Sequence, residues 1–134
     1  MDNTFIMIKP DGVKRAIIGE LISRFEKKGY RMITARMLTM TSEVANQHYQ
    51  EHRNKEYYPG LKEYITSGPV FAMVWAGEDI VEQSRMMIGA TDPAQAEAGT
   101  IRADYGTDKR RNVIHSSDSL QNARREINLF FPDL

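Results

Sequence analysis

Apolar positions along the chain fall into runs of helical and strand spacing. Thr4 to Lys9 (TFIMIK) is apolar and β-branched and stops at Pro10-Asp11-Gly12, so it predicts a strand entering a turn. In RAIIGELISRFEKKG, Ile17, Ile18, Leu21, Ile22 and Phe25 share one helical face, and Gly29 stands where a helix ends. RMITARMLTM, Arg31 to Met40, is long enough for a second strand. Thr41 or Ser42 caps a helix running to about Glu51, with Glu43 and Val44 in its first turn. RNKEYYPGLKEYITSG reads as a loop and then a short helix from Pro59. PVFAMVWAG is continuously apolar and predicts a buried central strand, and EDIVEQSRMMIG a short helix. From Ala90 to Arg111 the periodicity dissolves for about twenty residues, a length that in a compact domain usually signals function. NVIH predicts a last short strand; Asp118 or Ser119 then caps a helix with Leu120, Ala123, Ile127 and Phe130 on one face.

The order β-α-β-α-α-β-α, loop, β-α predicts an α/β (α+β) sandwich of the ferredoxin-like kind. Its four strands form a mixed or antiparallel sheet with helices packed on one face, and residues 1–134 make a single domain. Hydrophobic residues are 41% and charged residues 27% of the chain, which places it among compact globular domains. Eighteen basic and eighteen acidic residues cancel, which argues against a broad nucleic-acid-binding face while allowing a local basic pocket. With no cysteine, disulfides and thiolate metal sites are excluded, and three histidines are the only soft ligands. The start MDNTFIMIKP lacks a basic n-region, and no apolar run is long enough to span a bilayer, so a cytoplasmic protein is expected.

Neither G-x-x-x-x-G-K-[ST] nor G-x-G-x-x-G is present, so any phosphate is held by side chains. His48 and His52 stand four apart in HYQEH, but the order is not H-E-x-x-H and no third ligand is suggested. A solvated helix face is the expectation there, with Tyr49 pointing elsewhere and no protein metal site. His115 differs: it ends a strand just before a helix start, whose N–H groups and dipole favour an anion. A neutral imidazole is a competent nucleophile if an acceptor fixes its other nitrogen, and Glu126, two turns into the last helix, is a candidate. On spacing alone, a plain hydrogen-bonded histidine at a strand end is the favoured reading. Lys9, Arg85 and Arg102 can neutralise phosphate oxygens, with Thr91 near them in the irregular segment, or can be surface charges. Tyr57 and Tyr58 offer a ring for a base, or simply anchor a loop.

Taken in order, TFIMIKPDGVKR, HYQEH…YY, SGPVFAMVWAG, RMMIGATDP, GTIRADYG and RNVIHSSDS resemble the nucleoside diphosphate kinase family over almost the whole chain. The N-x-x-H-x-S-D-S stretch is similar to that family's active-site signature. The resemblance implies a ferredoxin-like fold with an antiparallel sheet. It implies ping-pong transfer of a terminal phosphoryl group from a nucleoside triphosphate, such as ATP, to a nucleoside diphosphate, through a phosphohistidine at His115. It further implies that Glu126 orients the ring and Ser117 packs that arrangement, with Lys9 and Tyr49 beside the transferred group. Arg85, Thr91 and Arg102 would hold the other phosphates, and Asn112, with Lys9, the sugar. Tyr57 stands where the family usually has a stacking phenylalanine, with Leu61 nearby. Mg2+ would arrive bound to the nucleotide phosphates. Family members are homohexamers or, less often, tetramers, and the hexamer is expected here. Three positions depart from the pattern: Ser116 and Ala103 replace usual glycines, and Lys109 replaces a small apolar residue, its aliphatic stem a possible cover for the base.

Overall fold

The computed structural model describes residues 1–134. Four strands, β1 (Asp2–Ile8), β2 (Arg31–Leu38), β3 (Val70–Gly77) and β4 (Ile114–Ser116), form one sheet in the order β2-β3-β1-β4. Every pairing is antiparallel; Phe5 lies opposite Val74, and Met7 lies opposite both Ala72 and His115. This is the ferredoxin-like arrangement. The central strands are apolar on both alternations, Thr4 to Ile8 and Ala72 to Trp75 being wholly buried.

Double-sided burial requires cover on both faces, and this corrects the expectation of helices on one face. On one side Phe5, Met7, Val70, Ala72 and Val74 pack with Ala45 and Tyr49 at α3 (Ser42–His48), Tyr58 and Ile65 of α4 (Tyr58–Ile65), and Phe130 of α7 (Leu120–Phe130). On the other, Ile6, Ile8, Met73, Trp75 and Ile114 meet Leu21 and Phe25 of α2 (Ile18–Lys27), Ile80 and Ile88 of α5 (Ile80–Ile88), and Ile101 of α6 (Ile101–Tyr105).

Pro10-Asp11-Gly12 is not a turn but the first part of a short helix, α1 (Pro10–Lys14), for which Pro10 supplies a preset first-turn φ. The stretch from Ala90 to Arg111 is also more ordered than its pattern predicts. Asp92 caps a 3-10 turn at Pro93–Gln95, and Thr100 caps α6, each side chain accepting a backbone N–H. No helix is long and apolar enough to cross a membrane.

Candidate active site

Strand β4 and helix α7 set His115 at the wall of a cavity of about 1310 Å³. Ser119, rather than Asp118, caps α7, its hydroxyl accepting the Asn122 N–H at 3.0 Å. The cap fixes the helix so that Glu126 turns back onto β4. His115 Nε2 and Glu126 Oε1 are 2.9 Å apart. A carboxylate only accepts, so in the neutral imidazole this contact places the proton on Nε2 and leaves the lone pair on Nδ1. Glu126 is itself buried, and Oε1 also accepts the Ser117 hydroxyl at 2.7 Å. Strand alternation explains the triad: His115 and Ser117 project to the α7 side of the sheet.

The opposite wall is cationic. Lys9, just past the end of β1, is buried and donates to Asn112 Oδ1 at 2.7 Å. Asn112 is fixed in turn, its amide donating to the carbonyls of Thr91 (2.9 Å) and Lys109 (3.0 Å). Arg102 donates to the carbonyls of Ile114 at 2.7 Å and Gly89 at 3.1 Å. Burial, then repulsion from Arg102, lowers the Lys9 ammonium to about 7 against the opposing pull of Asp11. Burial, then Arg85, lowers Arg102 to about 10, so it stays charged at neutral pH. Arg85 and Thr91 are exposed and line the same cavity. Crowded, desolvated cations of this kind are stabilised by a bound polyanion.

The segment connecting the two walls is strained. Val113 has φ 64°, a region unfavourable for a β-branched residue. It is held there by both its backbone groups: its N–H donates to Asp11 Oδ2 at 3.1 Å and its carbonyl accepts the Lys9 N–H at 2.8 Å. Strain of order 1–3 kcal/mol is sustained only where surrounding contacts over-determine the backbone. Here those contacts tie Lys9 to the strand that presents His115.

The family model described as "Nucleoside diphosphate kinase" matches residues 2–134. The chain belongs to the nucleoside diphosphate kinase family. The nucleoside diphosphate kinase of Halalkalibacterium halodurans is 55% identical over 131 residues, covering 98% of this chain and 89% of the relative. That of Bacillus cereus (strain ATCC 14579) is 53% identical over 133 residues, covering 99% and 90%. Among solved structures, the apo nucleoside diphosphate kinase of Encephalitozoon cuniculi superposes with a TM-score of 0.97 at 43% identity, covering 99% of this chain and 90% of that one. The halophilic enzyme of Halobacterium salinarum, solved in complex with CDP, gives 0.95 at 48% identity, covering 98% and 88%. The reaction is the family's: the enzyme moves the terminal phosphoryl group of a nucleoside triphosphate to a nucleoside diphosphate, by a ping-pong route through a phosphohistidine. The family uses a divalent metal with its nucleotide.

Every sequence-derived nucleoside diphosphate kinase position reaches this region. Lys9, Tyr49, Tyr57, Leu61, Arg85, Thr91, Arg102, Asn112 and His115 line the cavity, while Ser117 and Glu126 lie behind the histidine. Ser116 and Lys109, two of the departures, line it as well. The HYQEH stretch is the correction. His48 does not face solvent: with Ala45 and Tyr49 it lies on the inward face of α3, 4% exposed. Its ring meets His115 edge-on, centroids 4.7 Å apart at 78°. Tyr49 points the same way, its ring 4.6 Å from that of His48. Burial, reinforced by His115, Arg125 and Lys9, holds the His48 imidazole well below the usual histidine range. The helix ends at His48, so His52 falls in a separate 3-10 turn at Gln50–His52. His52 Nδ1 instead meets the Tyr57 hydroxyl at 2.5 Å and anchors that half-exposed ring at the cavity edge. The tyrosine at position 57 was the available signal for this contact, since phenylalanine there has no hydroxyl to offer.

Proposed function

We propose that His115 Nδ1 is the atom that receives the phosphoryl group. In the first half-reaction its lone pair attacks the terminal phosphorus of a nucleoside triphosphate. The bond from that phosphorus to the bridging oxygen breaks, and the electron pair leaves with the nucleoside diphosphate. In the second, a terminal oxygen of another diphosphate attacks the same phosphorus, and the P–N bond returns its pair to Nδ1. Glu126 holds the ring in the Nε2–H tautomer and stabilises the cationic ring that P–N bond formation creates. Ser117 fixes Glu126. What carries this reading is the 2.9 Å contact between His115 Nε2 and Glu126 Oε1 in a ring that lines a cation-walled cavity.

Lys9 and Tyr49 serve the transferred group, Arg85, Thr91 and Arg102 the remaining phosphates, Asn112 with Lys9 the sugar, and Tyr57 with Leu61 the base. Phosphoryl transfer asks mainly for positioning and charge neutralisation, which these groups supply. Stacking accepts any base, so broad base tolerance follows. Mg2+ fits as a passenger on the nucleotide: it prefers oxygen ligands and retained waters, phosphates provide the oxygens, and Asp118 and Glu82 at the cavity wall are oxygen donors of the right kind. Residues 1–134 act as one domain, in the cytoplasm where such nucleotides are exchanged. We favour a homohexamer over a tetramer; Ile33 and Met37, exposed on the edge strand β2, support self-association.

The test is conversion of GDP to GTP with MgATP as donor, followed in a coupled assay. The wild-type chain turns over and His115→Ala does not; exchange at an unchanged rate in folded His115→Ala would refute the assignment.

A further inference from the structure

Behind the reactive imidazole lies a buried histidine for which phosphoryl transfer gives no role. Neither Nδ1 nor Nε2 of His48 has a hydrogen-bond partner, although both are shielded from solvent. Buried polar atoms are rarely left so, and a ring orphaned at both nitrogens points to a missing ligand. Its surroundings supply two more donors. His48 from the end of α3, His115 from β4 and Glu126 from α7 each place one ligand atom within 4.8 Å of the others.

We propose that His48, His115 and Glu126 form a binding site for one zinc-class divalent ion, and that the ion turns the enzyme off by fixing the wrong tautomer of His115. This rests on the reading of His115 Nδ1 as the nucleophile. Two imidazoles and a carboxylate are a donor set that zinc accepts, with bonds of roughly 2.0–2.2 Å. Such bonds set the donor atoms roughly 3.3–3.6 Å apart around a tetrahedral ion. The 2.9 Å His115–Glu126 pair therefore opens slightly, and the wider separations close by rotation of His48, which no hydrogen bond restrains. Ser117 and Arg125, at 2.7 and 3.5 Å from the two Glu126 oxygens, keep the carboxylate aimed, as outer partners of metal ligands do. Mg2+ prefers six oxygens and is not held by two imidazoles, so the nucleotide's own ion does not compete.

Inhibition follows from proton bookkeeping on one ring. In the metal-free enzyme the proton is on Nε2 and the lone pair on Nδ1. An ion on the Glu126 side takes a lone pair at Nε2, and the ring proton moves to Nδ1. The imidazole stays neutral and no proton is released, but the atom that attacks phosphorus has lost its electron pair. The exclusion is mutual. Phosphorylation at Nδ1 leaves Nε2 protonated towards Glu126, so the phosphoenzyme rejects the ion.

The experiment uses the full chain, nucleotide-free, with Co2+ as an optical stand-in for Zn2+. One Co2+ binds per chain with the intense visible absorption of a four-coordinate ion; Zn2+ displaces it, and excess Mg2+ does not. His48→Phe, which preserves an aromatic ring beside Phe5 and Phe130, loses the band, as does His48→Ala; circular dichroism verifies that both are folded. Protein first phosphorylated with MgATP and desalted shows at least tenfold weaker Co2+ binding. Zn2+-loaded wild type, in excess Mg2+, forms phosphohistidine at least tenfold more slowly, a chelator restores the rate, and His48→Phe keeps its own rate with or without Zn2+. An unchanged Co2+ band in folded His48→Phe, or equal Co2+ affinity in phosphorylated and free wild type, would overturn the proposal. Turnover through phosphohistidine with no Co2+ bound rejects the metal site alone. Absence of phosphohistidine in metal-free protein rejects the catalytic reading while leaving the Co2+ spectrum readable.

Discussion

In the proposed reaction His115 acts as nucleophile through one acceptor, Glu126, and changing that acceptor's chemistry while keeping its shape isolates the effect. Glu126→Gln removes the negative charge that stabilises the cationic ring formed with the P–N bond, while an amide oxygen can still accept from Nε2 and Ser117. We expect kcat to fall roughly 10²-fold, within the usual range for a lost acid–base partner, with nucleotide KM little changed. Steady-state kinetics decides; an unaltered kcat contradicts the role proposed for the Glu126 charge. Lys9 carries a pH signature. Its folded-state value near 7 lies below the ordinary lysine value of 10.5, so between the two the unfolded chain holds more protons. Its contribution to stability therefore rises with pH from about 7 towards 10. A bound diphosphate restores the ammonium, so nucleotide binding at pH about 8 takes up a proton that Lys9→Met does not. Calorimetry in two buffers of different ionisation heat measures the difference, and equal uptake in both proteins would count against Lys9 as the phosphate contact. At this scale the sequence was most informative where chemistry is concentrated: RNVIHSSDS exposes its histidine, serines and aspartate directly. His48 was not legible, because the inward face of α3 is read only once Ala45 and Tyr49 are known to be buried. The positive φ of Val113 was equally hidden, since nothing about a valine announces a left-handed backbone.

Short elements hold the site together, and α1 is the most tightly placed. A Cβ at Gly12 would lie 2.6 Å from Ile8 Cγ2 and 2.9 Å from the Val113 carbonyl oxygen, both rigid neighbours. Gly12→Ala should destabilise the fold by about 1–3 kcal/mol through overpacking. It should also lower kcat, because the displaced Val113 leads directly to His115. Urea unfolding and turnover measure both, and wild-type stability would show that α1 and β4 are not so closely coupled. Ser119→Ala removes the α7 cap at a cost of about 1 kcal/mol. Long periodic segments such as α2, β3 and α7 were readable because their burial follows from local spacing. The short helices α1 and α6 were not, since five residues give too little periodicity and their stability comes from a proline, a cap and tertiary contact.

For the whole molecule, the continuous apolar character of β1 and β3 implied a buried centre but left open how the helices divide. The two core clusters answer that with a layer on each side. Sheet order and face assignment depend on which distant strands pair, and local pattern does not encode this. Strand β2 remains an open edge with Ile33 and Met37 exposed, and light scattering should give a particle near six times the 15.4 kDa chain. A stable monomer at working concentration would remove the proposed hexamer. The account as a whole stands on a covalent intermediate at one nitrogen. Brief incubation with MgATP and no acceptor, followed by 31P–1H NMR of the isolated protein, should show one acid-labile phosphate per chain on Nδ1 of His115, discharged by added GDP. Phosphate on Nε2, on Ser116 or Ser117, or on no residue of a protein that still exchanges phosphoryl groups would contradict it.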